Sequence, residues 1–280
     1  MSGYKKSTQV MEMFIFETFI ISFFKRFKMS LTKKYKRTFN RKTAARYEQA
    51  MDLYLNENKP NEALKILLKL AKVGYKKAYG EIGVITYRER LQADIAEEWF
   101  IKAEKAGSLF EEATYEYGML HYLEKKDWKT GLRYLYKAAE QGHELACGDI
   151  GVILYLYKDD IDGAGSWFKK AEKYEFLLAP AAFYYGQLLM IERQEFEKCK
   201  KYYVQSAEQG FDLAYAEYAS ILYLDKNDVD KAEFYFKKAV EVDYLPAPNA
   251  YNYGELLIEE RNDIERGNMY LDLAKSDGYL

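Results

Sequence analysis

Apolar residues return at one register along most of the chain, every 33 or 35 positions. In each copy a small residue is followed, three and four positions later, by two large residues that are mostly aromatic or leucine. The small residues are Ala63, Ala96, Gly131, Ala164, Cys199, Ala232 and Gly267, and the large pairs begin at Ile66, Trp99, Tyr134, Trp167, Tyr202, Tyr235 and Tyr270. Residues three and four apart share one face of an α-helix, so each copy predicts a helix with a packed face, here called helix B.

A second helix, helix A, is predicted before each helix B. Its register is marked by a small pivot residue, which in most copies has alanine five positions before it and a large residue four positions after it. The pivots are Ala50, Gly83, Gly118, Gly151, Gly186, Ala219 and Gly254. A glycine inside a helix costs about 1 kcal/mol relative to alanine. Its return at one register therefore indicates a close helix contact, which we expect between helix A and helix B.

The period predicts the architecture. Helices B close at positions 74, 107, 142, 175, 210, 243 and 278, in steps that alternate between 33 and 35, so a two-pair block of 68 residues is repeated. Glycine at most of these positions is suited to ending a helix, and aspartate before helix B is suited to capping its start. Such self-similarity is typical of helical solenoids. We therefore expect an all-α, right-handed superhelix of about seven antiparallel helix pairs.

The repeated residues also resemble a known family. The pattern Ala-x4-Gly-x3-Tyr, followed by Trp/Tyr-x3-Ala-Ala-Glu-Gln-Gly-His, is clearest at Tyr134–His143 and extends from about Thr43 to Leu280. It resembles the Sel1-like repeats, relatives of the tetratricopeptide repeats, although short polar links replace the glycine-rich loop usual between their helices. The resemblance implies an α-α superhelix that acts as a protein-binding scaffold without catalysis. It divides the chain into an N-terminal segment, 1–43, and a repeat domain, 44–280.

Charge is distributed unevenly between these two parts. Residues 1–46 contain twelve Lys/Arg and two acids, whereas the whole chain has a formal charge of −2, so the remainder carries −12. Ten of the cations lie in Lys25–Arg46, which contains no acid. Such a block is most often a solvated tail, and contact with a membrane, with nucleic acid or with the acidic repeats is the alternative. Of these, nucleic acid is not favoured as the main partner.

The stretch Met11–Phe24 is almost wholly apolar, but Glu12 and Glu17 interrupt it, so it is too short for a membrane span. It also lacks the features of a secretory signal. One hypothesis is an interfacial membrane anchor formed by residues 11–37. The alternatives are a helix packed on the first repeat, or a translation start at Met29 instead of Met1.

Catalytic and metal-binding chemistry has little support. The chain has two histidines and two cysteines. His121 and His143 occupy positions where other repeats carry packing residues, and we interpret both as core histidines, half-buried and hydrogen-bonded. Cys199 occupies the small-residue position of helix B, and Cys147 occupies a helix A position where other repeats carry Tyr, Thr or Ala. We therefore expect packing roles and no disulfide, which favours a reducing, cytoplasmic compartment. We expect no enzyme activity, no cofactor, no metal and no small-molecule substrate.

One polar register recurs two positions before the helix A pivot. Its residues are Glu48, Glu81, Glu116, Asp149, Tyr184, Glu217 and Asn252. The register is expected to lie off the packing face, where it would form an acidic row along a concave groove. The leading hypothesis is a non-catalytic adaptor that binds a basic partner peptide there. The alternatives are plain solvation of a helix face and a membrane-peripheral organiser anchored through the N-terminal segment.

Overall fold

The computed structural model describes residues 41–90, 92–174, 177–225 and 228–279, and these form fourteen α-helices and no strand. The predicted all-α class is confirmed. The helices fall into two compact units that meet in sequence between residues 176 and 177. The first unit contains four antiparallel pairs and the second contains three, which gives the predicted seven pairs.

The first unit consists of helices that alternate between the A and B types. In order they are α1 (Arg41–Leu55), α2 (Pro60–Lys72), α3 (Lys77–Arg90), α4 (Ala93–Lys105), α5 (Glu111–Leu123), α6 (Trp128–Glu140), α7 (Ala146–Ile153) and α8 (Ile161–Glu172). Helix α7 is extended by a π-helical turn, Leu154–Lys158. The odd-numbered helices are helices A and the even-numbered ones are helices B.

The second unit continues the alternation with three pairs. Its helices are α9 (Ala179–Gln187), α10 (Phe196–Glu208), α11 (Tyr215–Leu224), α12 (Val229–Glu241), α13 (Ala247–Arg261) and α14 (Ile264–Ser276). A π-helical turn, Leu188–Glu192, follows α9, and a 3-10 turn, Asp212–Ala214, precedes α11. The periodicity of apolar residues did not predict these local departures, because they leave the packed face unchanged.

The predicted contact between helix A and helix B forms the core of each pair. A Cβ atom on the pivot Gly83 would lie 2.6 Å from the ring of Phe100, and one on Gly151 would lie 2.6 Å from the ring of Phe168. Both rings are fully buried. In the third pair a Cβ atom on Gly118 would lie 3.2 Å from the carbonyl oxygen of Gly131, the small residue of helix B. The pivot is therefore small because helix B lies directly against it.

The predicted helix ends are also present. Aspartate side chains accept a hydrogen bond from the third backbone N–H of a following helix B at Asp127, Asp160, Asp228 and Asp263. Glycines that close helices B have positive φ angles at Gly74, Gly107, Gly142, Gly210 and Gly278. These caps satisfy backbone groups that a helix end leaves without partners.

The N-terminal predictions fall largely outside the described residues. Helix α1 spans Arg41–Leu55, and the expected boundary between residues 43 and 44 stays a prediction. The hypothetical anchor, residues 11–37, and the possible start at Met29 lie outside the described part, and the handedness of the superhelix stays a prediction. Among the described helices, none is long and apolar enough to span a bilayer.

The small-residue position of helix B gives a direct test of the packing. Cys199 is buried there with a free thiol, and four other pairs have alanine at this position. Cys199→Ala should change the free energy of unfolding by less than about 1 kcal/mol, whereas Cys199→Leu should lower it by about 1–3 kcal/mol through overpacking. Urea denaturation followed by circular dichroism measures both. A larger loss for alanine than for leucine would contradict the assigned register.

Candidate functional site

The row of residues two positions before each pivot is mostly enclosed. Glu48 is exposed, and Glu217 and Asn252 are half-buried. The other four are buried, with relative exposures of 4% for Glu81, 3% for Glu116, 7% for Asp149 and 5% for Tyr184. The expectation that this register lies off the packing face is therefore wrong for these four residues.

The reason lies in the helices A themselves. In α5 every residue from Glu112 through Leu120 is buried, and in α7 every residue from Ala146 through Ile153 is buried. Both helices carry apolar side chains all the way around, a pattern typical of an enclosed helix rather than of an amphipathic surface helix. A carboxylate on such a helix has to find a partner within the protein.

Two of the buried carboxyls receive a hydrogen bond from a tyrosine in the preceding helix A. Tyr47 Oη donates to Glu81 Oε1 at 2.5 Å, and Tyr115 Oη donates to Asp149 Oδ2 at 2.8 Å. The second pair lies 68 residues after the first, so the contact recurs with the two-pair block. In the second unit the half-buried Glu217 accepts instead from Asn249 Nδ2 at 3.0 Å.

Between these two pairs lies a buried ionic group formed by α3 and α5. The Arg88 guanidinium donates to Glu112 and to Glu116, the latter with Nε at 2.6 Å from Oε1. His143 Nε2 lies 3.1 Å from Glu112 Oε2, and its ring stacks on Tyr115 with centroids 4.0 Å apart. His143 is thus hydrogen-bonded in the core, as the sequence predicted, but it is buried rather than half-buried.

Burial and neighbouring charge set the pKa values of these carboxyls. Burial raises the pKa of Glu81 to about 7 and that of Asp149 to about 7, although the tyrosine hydroxyl works in the opposite direction in each case. Burial also raises the pKa of Glu116. Burial alone would raise the pKa of Glu112 too, but Arg88 and His143 together hold it below its usual range. Glu81 and Asp149 are therefore partly protonated near neutral pH, unlike the water-screened charges that were expected.

The other candidate residues remain packing residues. His121 is half-buried as predicted, but neither ring nitrogen has a hydrogen-bonding partner among the described residues, and burial lowers its pKa. Burial raises the pKa of the Cys147 thiol and raises that of Cys199 to about 11. Within the described part of the chain, no three His, Cys, Asp or Glu side chains are arranged to hold a metal ion.

The residues that complete the buried row were not singled out from the sequence. Arg88, Glu112, Tyr47 and Tyr115 supply its partners. The 68-residue spacing of Tyr47 and Tyr115, each 34 positions before an acid, was a usable signal. This signal is visible only when the first helix pair is compared with the third, because the second pair has Gly80 at the equivalent position.

The raised pKa values predict how stability depends on pH. Between about pH 4.5 and 7 the folded protein keeps protons on Glu81 and Asp149 that the unfolded chain releases, so these two groups make stability fall as the pH rises. The glutamine of Glu81→Gln stays neutral at every pH. The gain in the free energy of unfolding over the wild type should therefore be larger at pH 8 than at pH 5.5, and the two gains should differ by about 1–3 kcal/mol. Urea denaturation at both pH values measures the difference.

The groups that surround Glu81 are Tyr47, Lys77, Arg88 and Glu112, and the substitution leaves all of them in place. Glu48→Gln is the matched control, because Glu48 has the same register but is exposed. Its effect on stability should be nearly the same at both pH values. An equal response of the two variants would contradict a buried, protonated Glu81.

Comparisons with known proteins agree with this architecture. A family model described as plant tetratrico peptide repeats matches residues 91–177. No curated protein matches the chain. Among solved structures, a Sel1 repeat protein from Oxalobacter formigenes is similar with a TM-score of 0.53 and 20% identity, over 82% of this chain and 99% of that one.

Two further structures are similar over part of their own length. The antigen c5321 of uropathogenic Escherichia coli, which displays an SLR fold, gives a TM-score of 0.57 and 19% identity over 84% of this chain, and the match spans 54% of that protein. The APC/C hetero-tetramer Cut9–Hcn1 gives a TM-score of 0.53 and 15% identity over 78% of this chain and 42% of that one. At these identities the likeness is one of fold, and the chain shares the all-α helical-repeat fold of these Sel1-like and tetratricopeptide-type proteins.

Proposed function

We propose that the chain is a non-catalytic scaffold that binds a protein or peptide partner along its helices A, through a partner segment rich in Lys and Arg. The observation that supports this proposal is the recurrence of register: in each unit, equivalent positions on successive helices A carry related polar side chains. A partner laid across those helices would pass an equivalent polar position at each step, and it would contact those that are accessible. Specificity would then come from side chains on helix A.

Similarity to other repeat proteins points the same way. Proteins with repeats of this fold serve in general as scaffolds for protein–protein interactions. One structural relative, Cut9–Hcn1, is itself a hetero-tetramer. Taken with the repeated registers, this favours a binding role over an enzymatic one.

Accessibility narrows the proposed contact residues. Glu81, Glu116, Asp149 and Tyr184 are buried, so they would act on a partner only through the field of those carboxyls that stay ionised. Glu48 in the first unit, and Glu217 and Asn252 in the second, have accessible surface. These three are therefore the proposed contact residues. Lysine at the buried positions would place an unpaired cation in the interior and unfold the protein, so charge changes belong at the accessible ones.

Binding of a labelled peptide of alternating Lys and Ser residues tests the proposal. Glu48→Gln and Glu217→Gln, each made in the full chain, should weaken binding about threefold or more, because each removes one favourable charge. Raising the salt concentration from about 50 to about 200 mM should weaken the binding of the wild type. Fluorescence anisotropy measures the affinity in each case.

Each variant has a control in its own unit. Glu57→Gln in the first unit and Glu241→Gln in the second remove an exposed charge away from the predicted row, and they should change the affinity little. If the test variants bind as tightly as these controls, the helix A row is not the peptide site.

The second candidate is a membrane-peripheral organiser. The sequence of the N-terminal segment favours it, since the apolar Met11–Phe24 is followed by ten cations and no acid as far as Arg46. Residues 11–37 lie outside the described residues, so this stays a proposal from sequence. Phe19→Ser, Phe23→Ser and Phe24→Ser combined in the full chain should abolish co-sedimentation with phosphatidylserine vesicles. Unchanged co-sedimentation would count against an anchor.

A further inference from the structure

A second surface, formed by the helices B, carries half of the exposed Lys and Arg residues in the described part of the first unit. Three positions of each helix B lie nine, five and two residues before its closing position, and spacings of four and three keep them on one face. In α2, α4, α6 and α8 all twelve of these residues are exposed. The twelve are Lys65, Lys69, Lys72, Glu98, Lys102, Lys105, Arg133, Lys137, Glu140, Ser166, Lys170 and Lys173. They are called the lysine face below.

The charge of the lysine face contrasts with that of the unit around it. The face has nine cations and two carboxylates, a formal charge of +7. Residues 41–174 as a whole contain 22 Lys/Arg and 22 Asp/Glu, and are formally neutral. The unit therefore segregates charge, with cations concentrated on one face and acids elsewhere, including the buried row on the helices A.

The cations of the lysine face are largely without counter-charges. Among the described residues only Lys137 forms an ion pair, with its Nζ 2.8 Å from Glu104 Oε1. The other eight have no carboxylate within ion-pairing distance in the part of the chain that the structure describes. Cations that are not neutralised by their own protein leave a positive potential available to an anionic partner.

Aromatic rings hold several of these cations at equivalent positions. Lys102 Nζ lies 4.2 Å from the centre of the Trp99 ring, and Lys170 Nζ lies 4.3 Å from that of Trp167, 68 residues later. Such cation–π contacts restrict a lysine without removing its charge. An ordered cation loses less conformational entropy when it binds an anion than a freely moving one does.

Direct contacts place neighbouring helices B side by side under the face. Tyr134 Oη of α6 donates to Glu104 Oε2 of α4 at 2.8 Å, and the rings of Tyr136 and Trp167 join α6 to α8 with centroids 5.4 Å apart. The lysines five positions before closure, Lys102, Lys137 and Lys170, therefore follow one another across α4, α6 and α8 with one cation per helix pair, and Lys69 has the same register in α2.

The second unit does not share this surface, so the charge is not a general property of the repeat. At the same positions it has Lys201, Gln205, Glu208, Phe234, Lys238, Glu241, Met269, Leu273 and Ser276, with a formal charge of zero. A face needed only for solubility would be expected in both units.

We propose that the lysine face of residues 41–174 is a docking surface for an acidic segment of a partner protein, bound as an extended chain across the helices B. An extended chain advances about 3.3 Å per residue, so a segment with an acid every few residues would present one carboxylate to the lysine of each successive helix B. This surface and its partner chemistry are independent of the helix A row, which is proposed to bind basic peptides.

The composition of the face favours an acidic peptide over other polyanions. None of its twelve residues is aliphatic or aromatic, so nothing on it could insert into a bilayer alongside the charges. The rings of Trp99 and Trp167 lie against lysines and are only half-exposed, which leaves no aromatic platform among the twelve for stacking bases. Eight of the nine cations are lysines, whereas arginine is the preferred residue for nucleic-acid recognition.

The test uses the full chain and a fluorescent peptide with Glu at every third position, separated by Ser and Gly. The triple variant Lys69→Glu, Lys102→Glu and Lys170→Glu should weaken binding about tenfold or more. The matched control, Lys76→Glu, Lys158→Glu and Lys275→Glu, makes the same change in net charge at exposed lysines outside the face and should weaken binding less than about threefold. Circular dichroism confirms that both variants are folded.

Carbodiimide cross-linking locates the bound peptide, because it joins carboxylates to nearby lysines. Adducts on Lys69, Lys102 and Lys170 are expected, and adducts confined to the basic stretch Lys25–Arg46 would overturn the proposal. Equal affinity of the triple variant and its control would also overturn it. The proposal would also be overturned if phosphatidylserine vesicles or a single-stranded oligonucleotide bound the wild type more tightly than the acidic peptide does, and if the triple variant lost that binding. Binding of the Lys/Ser peptide should be no weaker in the triple variant, which separates this test from that of the helix A row.

Discussion

The structure depends on one contact, the close approach of helix A to helix B at the pivot. Gly83 lies against Phe100 and Gly151 against Phe168, with no room for a side chain on the glycine. Because this contact is repeated in pair after pair, the chain builds a core from local pieces, and each pair needs only its neighbours. The aromatic residues of helix B fill the space that the small residues of helix A leave.

Close packing on helix A has a consequence for polar groups. Helices such as α5 and α7 are enclosed, so their carboxyls exchange water for partners from neighbouring helices A. Tyr47 donates a hydrogen bond to Glu81, and Tyr115 donates one to Asp149. Arg88 forms ion pairs with both Glu112 and Glu116. If one helix pair were displaced relative to the next, a buried carboxyl would lose its hydrogen-bond donor, which would cost about 1–3 kcal/mol of stability. The same residues that suggested a binding row thus connect one helix pair to the next.

This explains which parts of the molecule could be predicted from the sequence. The pivot and the small residues of helix B recur at fixed spacing, and spacing alone determines which residues share a helix face, so the seven pairs and their caps were predictable. The exposure of each side chain was not predictable, because the register of a residue does not show which other helices pack against its face. Glu48 and Glu81 have the same register, yet Glu48 is exposed, whereas Glu81 is buried and accepts a hydrogen bond from Tyr47 of the preceding helix A. The regular spacing of the residues in the lysine face can be read from the sequence, but only the structure shows that most of its cations have no carboxylate beside them.

The two rows together show why net charge is a poor guide to the partner of such a scaffold. The formal neutrality of residues 41–174 counts Glu81 and Asp149 as full charges, although burial raises the pKa of each to about 7. Near neutral pH these two acids are partly protonated, so the unit is more positive than its composition indicates. The other two buried acids, Glu112 and Glu116, contact Arg88, and Glu112 also contacts His143, whereas the cations of the lysine face are exposed to solvent. A partner that approaches the lysine face therefore encounters cations, whereas the buried acids of the helices A act within the fold.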